Sequence, residues 1–179
     1  YEREKRIGGA LHLAMRPPNK NELANILDYY QGEMERLGVD LRLGQAPEAR
    51  SIAALSPEAV FLATGARPYI PPIPGADGPQ VVHANRILAG EAAPGNVVVV
   101  IGGAEVGCET AELIADGGAR VMLMRRSELL AEDVEPVTRN ALLERLQAKG
   151  VTYMLGVRYR RIEPDGVVVL DGDDREQKV

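Results

Sequence analysis

Residues 97–101 read Val97-Val98-Val99-Val100-Ile101, and the next six read Gly102-Gly103-Ala104-Glu105-Val106-Gly107. A five-residue apolar run bounded by glycines has no polar face, as expected of a parallel strand covered on both sides. Helical spacing resumes at Glu105 and continues to residue 115, where Gly117-Gly118 closes it. A second apolar strand follows over residues 121–124, ending at Arg125-Arg126. A strand, glycine turn, helix and strand in this order predict an α/β chain with a Rossmann-like lobe on a parallel sheet.

The turn has a chemical use. In G-x-G-x-x-G the first glycine makes the tight turn, the second lets pyrophosphate approach, and the third packs helix on strand. Gly102 and Gly107 occupy the first and third places, with Gly103, Glu105 and Val106 between and beside them, and Ala104 stands where the middle glycine belongs. The helix that follows aims its first amides and positive dipole end at a phosphate. The end of the second strand selects the cofactor, an acid for the NAD ribose or a cation for the NADP 2′-phosphate. Arg125 and Arg126 stand there, so NADP is expected ahead of NAD, with Glu128 nearby as the countersignal.

Elsewhere the pattern is less regular. Asn21 is expected to cap an amphipathic helix that Gly38 ends, followed by short strands over residues 39–43 and 59–63. The proline-rich residues 68–79 exclude regular structure and suggest a linker. Beyond it, Pro136 predicts the first turn of a helix, residues 151–155 a strand, and Pro164-Asp165-Gly166 a hairpin turn. Two lobes are expected, 1–80 and 81–179. The net charge of −5 gives no reason to expect nucleic acid or an anionic membrane as partner. The apolar runs are far shorter than a bilayer requires, and the reading is cytoplasmic. Cys108, the single cysteine, excludes an internal disulfide and reads as packing rather than redox chemistry. His12 and His83 are too few for a histidine metal site.

The order Arg6-Ile7-Gly8-Gly9, Met15-Arg16-Pro17-Pro18-Asn19-Lys20, Ala63-Thr64-Gly65 and then the glycine-turn unit resembles a known module. It is similar to the FAD/NAD(P)-binding module of old-yellow-enzyme-type flavoprotein reductases, such as 2,4-dienoyl-CoA reductase and trimethylamine dehydrogenase, itself of the glutathione-reductase-like two-dinucleotide fold. The resemblance implies that Glu2 binds the adenosine ribose of FAD, that Gly8 and Gly9 form the close turn after it, and that Thr64 and Gly65 pass near the flavin-side dinucleotide. It likewise implies that Gly102, Gly107 and Glu109 belong to the nicotinamide-nucleotide motif, with Arg125 and Arg126 at the specificity position.

The chain therefore reads as a piece of a longer flavoprotein oxidoreductase: an NAD(P)-binding lobe plus part of an FAD-binding lobe. The intact enzyme is expected to pass hydride from NAD(P)H to FAD, and the isolated chain to be inactive and not to retain FAD. Its expected partners are the remaining domains of the same polypeptide, including a flavin-containing catalytic domain, and a homo-oligomer is left open. No residue stands out as a catalytic acid or nucleophile. Two alternatives remain: a docking domain that kept the fold and lost the cofactor, favoured by Ala104, and a free-standing nucleotide sensor.

Overall fold

A computed structural model describes Tyr1–Val179. The chain divides into two compact units, Tyr1–Met15 with Asn19–Arg67, and Arg16–Pro18 with Pro68–Val179.

The first unit carries α1 (Leu11–Ala14), α2 (Ala24–Arg36) and α3 (Ala49–Ala53). A 3-10 turn, Asn21–Leu23, precedes α2, so Asn21 lies inside that turn and caps nothing with its side chain. Gly38 ends the helix as expected. Its φ is +67°, and Val39 N–H reaches back to Met34 O at 2.9 Å. The expected strand at residues 39–43 reduces to one parallel bridge between Leu43 and Glu2. Residues 59–63 form no strand at all, and Phe61 and Leu62 are 92% and 87% exposed. The physical reason is pairing. Extended backbone becomes a strand only beside a neighbour that takes its N–H and C=O groups, and no backbone hydrogen bond reaches this segment.

The second unit holds α4 (Ala84–Leu88), β1 (Val97–Ile101), α5 (Glu105–Asp116), β2 (Arg120–Met124), α6 (Pro136–Ala148), β3 (Thr152–Met154), β4 (Arg158–Glu163), β5 (Gly166–Leu170) and β6 (Glu176–Lys178). A parallel sheet has the order β1-β2-β3, and an antiparallel sheet the order β4-β5-β6. Val97 pairs with Arg120 and Ile101 with Met124, so β1 and β2 end together.

Alternation along the strands explains why they are apolar on both sides. Val98, Val100, Val121 and Leu123 pack towards Cys108, Ala111 and Ile114 of α5 and Leu142 and Leu146 of α6. Val99, Ile101, Met122 and Met124 pack the other way, with Val157, Val167 and Val169. The unit is thus layered as helices, parallel sheet and antiparallel sheet. Leu123 and Met124 are both fully buried, on opposite faces, each worth about 1.5–3 kcal/mol of transfer free energy.

The ends of α5 and α6 are fixed by charge. Glu112 is fully buried and accepts from Arg145 Nε at 2.7 Å and Nη2 at 3.1 Å, with Lys149 Nζ at 3.5 Å. Glu135 caps α6, its Oε2 accepting from Val137 N–H at 3.0 Å and Thr138 N–H at 3.1 Å. The proline-rich segment is irregular, as its composition dictates, but it is anchored. Pro74 O accepts from Ile162 N–H at 2.7 Å, and a Cβ on Gly75 would lie 2.1 Å from Ile162 O.

Candidate functional site

The C-terminal ends of β1 and β2 and the start of α5 converge on the glycine turn. Gly102 has φ of +113°, a conformation that excludes ordinary side chains. Its N–H donates to Met124 O at 2.9 Å, and Tyr159 Oη donates to the same oxygen at 2.8 Å. Burial pushes the Tyr159 hydroxyl up from its ordinary range, with Arg126 and Arg125 pulling the other way.

Gly107 marks the closest approach. A Cβ there would stand 1.8 Å from Gly102 O, so the first turn of α5 rests directly on the loop that precedes it. Gly103 is constrained less rigidly, because a Cβ would fall 2.4 Å from Leu130 Cδ2 and 3.1 Å from Arg125 Cδ, side-chain atoms rather than backbone. Its carbonyl accepts from Ala131 N–H at 2.7 Å and Arg125 Nη1 at 2.5 Å, with Cys108 Sγ at 3.5 Å. The turn is therefore held from beneath by three donors.

Ala104 occupies the N-cap position of α5, exposed, with φ of −75° and ψ of 179° and no side-chain cap. That backbone suits any residue, so the place of a middle glycine demands no special conformation here, and the only consequence of the methyl is the space it fills. Val106 is 54% exposed beside it, while Glu109 is buried on the next turn. Glu105 and Glu109 each make further polar or electrostatic contacts. Cys108 is fully buried, and burial raises its thiol to about 11, which agrees with a packing role.

Arg125 and Arg126 differ in exposure. Arg126 is exposed. The Arg125 side chain is 15% exposed, bonded to Gly103 O and ion-paired with Glu132, whose other oxygen accepts from Ser127 Oγ at 3.2 Å. Glu128 lies against Gly156, where an added Cβ would meet its Oε1 at 2.2 Å.

Two groups invisible to motif reading complete the site. Asp133 points both carboxylate oxygens at Glu105 N–H, at 3.2 and 3.3 Å, from 28 residues away. Ala131, fully buried, has φ of +46° although it is not glycine, and it sets the loop that carries Glu132 and Asp133. The sequence signal for this loop is slight: Leu129-Leu130 after the arginines, then two acids.

On the first unit, Glu2 turns its Oε1 back to its neighbour Glu4 N–H at 2.8 Å. Gly8 and Gly9 have φ of +115° and +46°, and a Cβ on Gly8 would meet Leu27 Cδ2 at 2.8 Å. Gly65 has φ of +76° with open space around it, and Thr64 is exposed. Gly8, Gly9 and Gly65 are glycine for backbone reasons, and the flavin-side role of the five positions is an expectation.

Residues 44–179 match the profile of the pyridine nucleotide-disulphide oxidoreductase family. A bilirubin reductase from Mediterraneibacter gnavus is 38% identical over 179 residues, covering all of this chain and 28% of that protein. An NADH oxidase from Thermoanaerobacter brockii is 36% identical, covering 98% of this chain and 28% of its own length. The solved structure of a 2-naphthoyl-CoA reductase superposes with a TM-score of 0.91 at 29% identity, covering 99% of this chain and 27% of that one. The chain spans just over a quarter of these relatives' length.

Proposed function

Since this chain belongs to the pyridine nucleotide-disulphide oxidoreductase family, we propose that it is the nucleotide-binding module of an NAD(P)H-dependent flavoprotein oxidoreductase. When bound, reduced nicotinamide supplies the hydride and FAD receives it. The observation that carries the reading is the contact between Gly107 and the Gly102 carbonyl, which brings the amides at the start of α5 against the loop where pyrophosphate is bound in such folds. That cradle fits a dinucleotide. The relatives, an oxidase of NADH and two reductases, support the reaction class.

This chain's own groups divide the work. Gly102, Gly103 and Gly107 shape the turn, and the amides from Ala104 to Val106 face the phosphates. Arg126, exposed at the end of β2, is the first cation available to a 2′-phosphate, with Arg125 behind it, so NADPH is favoured over NADH. Glu2, Gly8, Gly9, Thr64 and Gly65 contribute to the flavin side. The rest of that site, and the substrate site, belong to further domains of the polypeptide.

One observation favours a docking role without cofactor: Asp133 and Glu132 already satisfy Glu105 N–H and Arg125. Titration of the chain with NADPH, NADH and ADP separates the two. Saturable binding, tightest for NADPH, supports the nucleotide module. Absence of binding by all three refutes it and leaves the docking domain.

A further inference from the structure

We propose that Glu132 and Asp133 tune this nucleotide site from within the chain, Asp133 by competing with pyrophosphate and Glu132 by withholding Arg125 from a 2′-phosphate. The proposal rests on the nucleotide-module reading above.

The Asp133 carboxylate has an unusual position for a cap. The N-cap residue of α5 is Ala104, which has no side-chain oxygen. The anion at the helix start comes instead from another loop, and both of its oxygens lie within 3.3 Å of Glu105 N–H. Amides and dipole there favour negative charge, and a carboxylate draws on the same attraction as a pyrophosphate. The two anions repel each other and compete for the same donor.

Glu132 acts on the neighbouring cation. Its carboxylate bridges Arg125 and Ser127, which stand behind the exposed Arg126 after β2, where a 2′-phosphate would be received. Arg125 is mostly covered while Glu132 is 47% exposed, so the accessible half of the pair is the acid. A phosphate approaching Arg125 meets that negative charge first. Neutralising Glu132 frees Arg125 Nη2 for a phosphate oxygen, while Nη1 stays on Gly103 O.

Both acids are fixed in place. Ala131 N–H donates to Gly103 O at 2.7 Å, and Val134 N–H donates to Ala131 O at 3.1 Å. The loop is thus pinned to the glycine turn on one side of the acids and closed on itself on the other. Their targets also differ chemically. Pyrophosphate is common to NADH and NADPH, whereas a 2′-phosphate is present only in NADPH and 2′,5′-ADP.

The test measures dissociation constants of the whole chain for NADH, NADPH and 2′,5′-ADP, by nicotinamide fluorescence and calorimetry, with circular dichroism and melting to check folding. Asp133→Asn is expected to tighten NADH and NADPH alike, by about two- to fivefold. Asp133→Ser keeps an acceptor for the Glu105 amide without the charge and is expected to do the same, which carries the test if Asp133→Asn folds poorly. Glu132→Gln is expected to tighten NADPH and 2′,5′-ADP by a similar factor, leaving NADH unchanged. A purely structural role for the two acids would not sort ligands by phosphate class. Binding by the parent chain with no gain in any variant overturns the proposal and leaves the module reading intact. No binding by parent or variants overturns that reading and this one with it.

Discussion

Gly107→Ala and Gly32→Ala add the same single methyl group to a helix, and the structure assigns them opposite signs. At Gly107 the new Cβ would lie 1.8 Å from the Gly102 carbonyl oxygen and 2.8 Å from its carbon. Both are backbone atoms, and Gly102 is tied to Met124, so no flexible side chain is there to swing away. Reaching even a tight 3.0 Å means opening the turn from α5 by more than an ångström, beneath a carbonyl network that also holds Arg125 and Ala131. Overpacking of this kind costs about 1–3 kcal/mol, and the upper part of that range applies where backbone must move. For a chain of this size each kcal/mol lowers Tm by about 2–4 °C. Gly32 lies inside α2, exposed, with nothing within 4 Å of an added Cβ. Alanine there gains about 0.5–1 kcal/mol from helix propensity and lost unfolded-state freedom. Urea denaturation followed by circular dichroism reads both. If Gly107→Ala unfolds at the parent's urea concentration, the close approach of turn and helix is not real, and the argument for the nucleotide cradle goes with it.

Three other outcomes follow from side chains away from the turn. Arg145→Ala leaves the fully buried Glu112 with only Lys149 at 3.5 Å, and a loss of about 2–4 kcal/mol is expected by urea denaturation, since a buried charge loses its bidentate partner; a loss below 1 kcal/mol would contradict the assignment. The Thr138 and Val137 amides hold the Glu135 carboxyl below its ordinary 4.5. A lowered folded-state value means that its contribution is complete above the unfolded value and fades as pH falls through the folded one; carbon-detected NMR should place its midpoint below 4.5, and Glu135→Gln should remove that part of the acid sensitivity. Cys108, with its thiol raised to about 11 by burial, should resist iodoacetamide at pH 8 in the folded chain and react promptly in urea; rapid alkylation without denaturant would show the pocket around it to be open.

The parts of this fold written in local sequence were legible in advance. Five apolar residues at 97–101 followed by Gly102 define β1 and the turn. Pro136 after Glu135 marks the start of α6, where both stand, and Gly38 ends α2. What stayed hidden depends on partners distant in sequence. Asp133 caps a helix that begins 28 residues earlier, and no spacing rule connects the two. Arg125 reads as a phosphate ligand by position, yet its guanidinium is bonded to Gly103 O and Glu132. Ala131 adopts a left-handed backbone with no glycine to announce it, itself fully buried and bonded through its N–H to Gly103 O. Residues 59–63 show the converse: their composition suits a strand, but composition supplies no neighbour.

The central claim is that the turn at the start of α5 is where this chain receives a dinucleotide. Backbone NMR of the whole chain during titration with ADP addresses it at the residues concerned. Saturable movement of the Gly103, Ala104, Glu105, Val106 and Gly107 amides is predicted, together with that of Asp133 as its carboxylate gives way. Amides that stay fixed at these positions through millimolar ADP would contradict the claim.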